Sequence, residues 1–213
     1  MLNSTTQSTR SGGPLAGAWA VVRSIGDDGY LALTEQVLDG MDRLLAGLSE
    51  VPALHVVAPP DSTLLALGTD DTCDVFTIAD EMTAAGWYVQ PQLSFAGGAP
   101  TLHLTLSAAT APHVEEFLVV LGDAVAAAVE AGPVRVDPGV ADVVRALDPA
   151  VLTDADFDGL LAAAGLLGDG PDLALPERMA EVNALLDLAA PALREALLTA
   201  FLDRLSRPTP HPA

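Results

Sequence analysis

The residues able to do chemistry in this sequence are few, and one kind is missing. All nine basic residues are arginines, at positions 10, 23, 43, 135, 145, 178, 194, 204 and 207, and lysine occurs nowhere in the 213 residues. A genome biased toward Ala, Gly, Pro and Arg codons would deplete lysine in this way. Whatever the cause, no side-chain amine is available for a Schiff base, a Walker-type phosphate contact or a lysine general base. Cys73 stands alone, so neither an internal disulfide nor a multi-cysteine zinc site is open to the chain. His55, His103 and His113 are widely spaced, and no pair has the i, i+4 separation of a helical metal site. His55 and His113 read as surface or cap residues. His103 falls on the polar side of a strand, where a histidine serves either structure or function.

Two short stretches invite a ligand reading. Ser8-Thr9-Arg10-Ser11-Gly12-Gly13-Pro14 brings hydroxyls, a guanidinium and backbone N–H groups freed by two glycines to the entrance of an apolar segment. Those parts suit an anion such as a phosphate or a carboxylate. An ordinary polar N-terminus accounts for the same composition. Asp154-x-Asp156-x-Asp158-Gly159 opens like a calcium loop, but the twelfth position is Gly165 and Leu160 to Ala164 fill the remaining ligand positions. The stretch is expected to be a helix start, with Thr153 as N-cap and an acidic first turn.

The elements that must position these residues follow from periodicity. Pro14 to Val22 is apolar on nearly every face and predicts a helix buried on all sides, ended by Gly26-Asp27-Asp28-Gly29. From about Tyr30 to Leu48, Val37, Leu38, Met41, Leu44, Leu45 and Leu48 form one helical stripe. Leu54–Val57 and Thr63–Gly68 are strand candidates. Asp74 to Ala85 predicts a helix with Asp71 or Thr72 as N-cap and Gly86 past its end. Trp87–Gln92 is a third strand candidate, Gly97-Gly98 a turn, and Thr101 to Ser107 alternates strictly, placing His103 on the polar face. His113 to Ala131 closes the unit as a helix. This order predicts an α+β layer, a small and mainly antiparallel sheet with helices on one face. From Pro133 onward the pattern is all-helical, near 139–147, 153–164, 176–188 and 190–206, before a proline-rich tail.

Composition bounds the function. Half the residues are apolar and the mean hydropathy is positive, which argues for a folded, Ala- and Leu-rich, helical core. The longest apolar run, Phe117 to Val129, is interrupted by Gly122 and Asp123 and falls short of the roughly 20 residues that span a bilayer. The first ten residues lack a secretory pattern, so a cytoplasmic location is expected. A formal charge of −20, from 29 acidic and nine basic residues, repels phosphate backbones and anionic membranes alike. Neither nucleic acid nor a membrane is expected as partner.

Thr9-Arg10-Ser11-Gly12-Gly13-Pro14-Leu15-Ala16-Gly17-Ala18-Trp19-Ala20, followed by Gly26-Asp27-Asp28-Gly29-Tyr30, resembles a stretch of the group II pyridoxal-phosphate-dependent decarboxylases, and within them the sphingosine-1-phosphate-lyase-like proteins. There the pattern is Gly-Ser-Arg-x-Gly-Gly, a small-residue helix with a Trp-Ala pair, and Gly-x-x-Gly-Tyr. Leu64-Leu65-Ala66-Leu67, Ile78-Ala79-Asp80, Gly86-Trp87 and Leu102-His103-Leu104 agree in order. The resemblance covers about residues 8–130, and 133–213 finds no counterpart in it.

The resemblance implies the aspartate-aminotransferase architecture (fold type I), a homodimer whose large domain holds the cofactor on a lysine upstream of the Gly-Ser-Arg segment. This chain is then expected to comprise a linker and connecting helix (1–26), the small C-terminal α+β domain (27–132) and an all-helical extension (133–213), with the large domain outside it. It implies a cofactor-phosphate contact at Ser8, Thr9 and Arg10, Ser8 replacing the family glycine and Thr9 keeping the hydroxyl. His103 falls on the strand where lyase-like members carry histidine and glutamate decarboxylases carry a carboxylate-binding arginine. It would line the substrate entrance. The expected cofactor is pyridoxal 5′-phosphate, held by a large-domain subunit or homodimer mate and not covalently by this chain. The expected substrate is a small amine or amino acid undergoing carbon–carbon cleavage. A non-catalytic interaction or regulatory module that keeps the small-domain fold is the alternative.

Overall fold

Element boundaries in this chain follow from where apolar stripes find partners. The computed structural model describes residues 11–166 and 176–206; Ser8, Thr9, Arg10 and the proline-rich tail past Ser206 lie outside the described residues. Helix α1 (Gly12–Leu48) is two helices joined at a kink, where Gly26 adopts φ 65° and ψ 178°. That backbone conformation is essentially reserved for glycine, so one residue makes the break expected of the whole Gly26–Gly29 stretch. The second half buries Val37, Gly40, Met41, Leu44 and Leu48. Leu38, expected in the same stripe, sits at its margin and is exposed.

The first half of α1 corrects an expectation. Leu15, Trp19 and Val22 are 66%, 68% and 56% exposed, so the segment predicted to be buried on all sides is uncovered by the described residues. Its all-round apolar composition is real; the surface that would bury it is not among them.

Strands β1 (Leu54–Val56), β2 (Leu64–Thr69), β3 (Gln90–Gln92) and β4 (Thr101–Thr105) form one antiparallel sheet in the order β1-β2-β4-β3. Leu65 pairs with Leu104 and Leu67 with Leu102, so the period-two alternation sends leucines to one face. Against that face pack α1's second half, α2 (Val75–Ala84) and α3 (Val114–Ala131), the last entered through a 3₁₀ turn at Ala111–His113. Helix, strand, strand, helix, strand, strand, helix is the order that periodicity predicts. The third strand is shorter than expected. Val89 turns into the core and Trp87 packs edge-on against Phe117 at 5.5 Å, so pairing begins only at Gln90. Pro91, which lacks an N–H, is tolerated because β3 is an edge strand.

Helix α2 starts later than predicted. Asp70 takes the N–H and hydroxyl of Thr72 at 2.9 and 2.5 Å, closing a turn of its own, and Asp74 becomes the N-cap, accepting from the N–H groups of Phe76 and Thr77. Gly86 follows the helix with φ 85°. Between α1 and the α3 region the approach is close: a Cβ at Gly40 would lie 2.9 Å from that of Ala111, and one at Gly47 would overlap the Leu118 side chain.

Beyond Gly132 the chain is helical, as α4 (Pro138–Ala146), α5 (Asp154–Ala163), α6 (Ala180–Leu188) and α7 (Pro191–Leu205). Thr153 and Asp156 form a capping box at α5, and Asp158 pairs with Arg204 at 2.5 Å. The Asp-x-Asp-x-Asp run is therefore a helix start. Leu161, Leu166 and Val182 form a small separate core, beside which Leu193 is fully buried.

Three polar anchors fix this helical unit to the α+β unit. The second oxygen of Asp74 accepts from Val134 N–H at 2.9 Å. Asp80, buried on α2, accepts from the N–H groups of Met179 and Ala180, each at 2.9 Å, and so caps the start of α6 from 100 residues away. Its neighbour Glu81 pairs with Arg178 at 2.5 Å. The third anchor joins Ser94 to Asp187 and Arg194 at the corner between α6 and α7.

Candidate functional site

A sheet covered on one face leaves the side chains of its other face to meet solvent or a partner. The same alternation that turns Leu102 and Leu104 toward the helices turns His103 outward from β4, between Ala66 of β2 and Gln90 of β3. His55, two strands away on β1, also faces out. It is opposite Gly68, and its imidazole lies across that glycine, with ring atoms 2.6 Å from where a Cβ would stand. A side chain at position 68 would displace the ring, so glycine here lets the imidazole lie flat across the strand.

His55 and His103 line one cleft of about 610 Å³, together with Gln92, Leu93, Phe95 and Thr101. His103 is half-buried, and its Nε2 lies 3.3 Å from the Thr105 hydroxyl. Asp74 borders the cleft but is committed: one oxygen caps α2 and the other takes the Thr77 hydroxyl and Val134 N–H. Near His55, the Asp70 carboxyl is held below its ordinary range, mainly by the Thr72 hydroxyl and N–H, with the histidine a smaller influence. Phe95 forms the outer wall at the base of a hairpin whose tip, Ala96 and Gly97, has φ 50° and 84°, the two positive angles of a type I′ turn.

The cleft thus offers two imidazoles, an amide and a hydroxyl against an apolar wall. Such a set has the chemistry to bind and orient a polar ligand and to hold or pass a proton. It contains no amine nucleophile. Of the sequence candidates, His103 and His55 are brought together; His113 stands apart at the α3 start, 3.5 Å from Glu116. Sequence reasoning placed His55 at the surface without linking it to His103, because strand order was needed to put both in one cleft. It also passed over Asp80 as a chemical group, although a carboxylate directly after the largely apolar run Val75 to Ala79 signals a buried partner.

Residues 138–204 match the family model described as "Pyridoxal-dependent enzyme, C-terminal putative HTH domain". Sphingosine-1-phosphate lyase from Arabidopsis thaliana is 32% identical over 139 residues, 65% of this chain and 24% of the relative, and that from Oryza sativa subsp. japonica is 32% identical over 65% and 25%. This chain is related to the C-terminal part of pyridoxal-dependent enzymes. The sphingosine-1-phosphate lyase of Burkholderia pseudomallei superposes with TM-score 0.51 and 28% identity, over 59% of this chain and 28% of that one. Lactobacillus brevis glutamate decarboxylase superposes with TM-score 0.54 over 62% of this chain and 31% of its own, and at 15% identity shares the fold alone. The small-sheet unit is therefore the C-terminal fold of fold type I pyridoxal enzymes. The chain spans about a quarter of the length of the curated relatives it matches. The resemblance read from sequence stopped near residue 130, whereas the family model reaches through the helical unit to 204. That unit carries few polar signature residues, and its leucine pattern is common to many helical bundles.

Proposed function

We propose that this chain forms the C-terminal part of a pyridoxal-phosphate-dependent carbon–carbon lyase, an amino-acid decarboxylase or a sphingosine-1-phosphate-lyase-like enzyme. The observation that carries the reading is a pair: kinship with pyridoxal-dependent enzymes, and a sequence without lysine. The cofactor's covalent anchor must then come from a large domain, whether on another polypeptide or elsewhere on a longer one. When bound, pyridoxal phosphate withdraws electron density from the bonds at the substrate's α-carbon. The donor set here fits a supporting role. Ser8, Thr9 and Arg10 supply hydroxyls and a guanidinium for the cofactor phosphate, in a homodimer mate or a large-domain subunit. His103 lines the substrate entrance, and the imidazole there binds and orients a small amine or amino-acid substrate. No residue of this chain replaces the missing amine.

The reading is tested by co-purification with a lysine-bearing large domain. The pair should bind pyridoxal phosphate with visible absorbance and release carbon dioxide or an aldehyde from an amine substrate. This chain alone should do neither, and turnover by the purified chain with added cofactor overturns the proposal. A non-catalytic interaction module with the same fold is the second reading, favoured by the uncovered apolar half of α1. Stable pairing without turnover selects it.

A further inference from the structure

We propose that Asp187 and Arg194, on the C-terminal helical unit, are positioning residues for the His55–His103 cleft. They hold its Leu93–Phe95 wall, and through it the helical unit sets which ligands the cleft admits. The proposal rests on reading that cleft as the substrate side, although the positioning itself is a property of this chain alone.

Ser94 lies in the middle of the wall, between Leu93 and Phe95, which both line the cleft. All three of its polar groups are engaged by the α6–α7 corner. Its N–H donates to Asp187 Oδ1 at 2.6 Å, its carbonyl accepts from Arg194 Nη1 at 2.8 Å, and its hydroxyl accepts from Arg194 Nη2 at 3.1 Å. The arginine is itself held in place. Its Nε donates to Ala189 O at 2.8 Å, Nη2 donates to Asp187 O, and the Asp187 carboxylate is 3.5 Å away, with the two side chains only 17% and 20% exposed. A planar guanidinium that meets four oxygens in fixed directions cannot be replaced by a lysine ammonium.

The wall is anchored at its start, where Leu93 packs against the main core and follows the Gln92–Thr101 pair of the sheet, but past Ser94 packing gives it little support. Phe95 is 86% exposed, so its ring contributes almost nothing to fixing its own backbone. The hairpin beyond it closes through Gly98 N–H donating to Phe95 O at 2.8 Å, a bond within the hairpin that does not fix it to the rest of the chain. Beyond Leu93, the position of the ring over the cleft is therefore held mainly through Ser94. Any shift of α6 against α7 displaces the wall, and a ligand that presses on the wall displaces the corner; this coupling is reciprocal.

The test compares Arg194→Ala, Arg194→Lys and Asp187→Asn with Arg204→Ala, which breaks an ion pair of the same helical unit that does not touch the wall. Diethyl pyrocarbonate labelling, resolved by residue with mass spectrometry, reads access to His103, and His113 outside the cleft serves as the internal reference. With helical content retained, R194A should raise His103 labelling about threefold through local opening, D187N should raise it, and R194K should restore protection only in part. R204A should leave it unchanged. Equal effects of R194A and R204A, or none from R194A, overturn the proposal. In a reconstituted assembly with a large domain, R194A should raise KM for the amine substrate about fivefold with kcat within about twofold. An assembly without turnover counts against the proposed function, while the labelling result decides the positioning role.

Discussion

Asp80 shows how one residue can decide an arrangement. Six consecutive positions from Val75 to Asp80 are buried on α2, and the last is a carboxylate. A buried charge is tolerated only when its lone pairs are used, and here both oxygens take N–H groups at the start of α6, where the helix dipole adds to the attraction. Asp80→Asn keeps the shape but turns one acceptor into a donor that faces an N–H. We expect a loss of about 2 kcal/mol, the scale of one charge-assisted hydrogen bond left unmade. Denaturant unfolding measures it, and hydrogen exchange should show α6 released first. Sequence alone marks His103 as outward-facing by strict alternation, but it passes over Asp80 as a buried charge. It does not identify Met179 and Ala180 as the partners of Asp80, nor His55 as a second lining residue of the His103 cleft. Those pairings join positions about 100 and 48 apart, set by tertiary packing rather than by local pattern.

Elements were legible where a stripe had a period, and less so where contact geometry decided. The order of the α+β unit follows from periodicity, while the N-cap of α2 moved from Asp71 or Thr72 to Asp74 because Asp70 had already claimed Thr72. Glycines show the same division. Gly40 and Gly122 look alike in sequence as helical glycines, but a Cβ at Gly40 meets Ala111 at 2.9 Å and one at Gly122 meets nothing within 4 Å. Gly122→Ala should therefore stabilise by about 0.5–1 kcal/mol through helix propensity. Gly40→Ala should cost about 1 kcal/mol or more through overpacking against a short side chain that has no other rotamer. Opposite shifts of the thermal midpoint check the pair. The capping box of α5 gives a pH dependence. The Thr153 hydroxyl and N–H hold the Asp156 carboxyl below its ordinary range, so the folded chain binds this proton less readily than the unfolded chain. Its contribution is fully present above the usual aspartate value of about 4 and is lost as pH falls through the lower folded value. The same direction holds for Glu115, through its hydrogen bond from Arg43, and for Asp70. Melting temperature should fall below about pH 4, and Asp156→Asn should flatten that fall.

At the scale of the whole molecule, charge and apolar surface point to the same kind of partner. The segment matched by the helix-turn-helix model, 138–204, holds four arginines and twelve carboxylates, so four minus twelve gives a net −8. Each of those arginines already has a carboxylate: Arg145 with Asp142, Arg178 with Glu81, Arg194 with Asp187, and Arg204 with Asp158. Phosphate binding requires cations that release counterions, and this unit offers no such patch among the described residues. No mobility shift with duplex DNA is expected even at low salt, where such binding would be strongest. The first half of α1 instead presents apolar surface of the kind that protein partners cover. Leu15, Trp19, Val21 and Val22 are all more than half exposed on one short helix, an apolar stretch that water penalises until something covers it. Gly26 lets this helix take its own direction while α1's second half stays packed on the sheet unit. If a large domain supplies the cover, Trp19 moves from water into an apolar site on assembly and its fluorescence shifts to the blue. Replacing Leu15 and Val22 by Glu should abolish both the shift and the co-purification while leaving the circular dichroism of the isolated chain unchanged, since neither residue supports its core. Assembly that survives this double substitution would place the contact on the open sheet face instead.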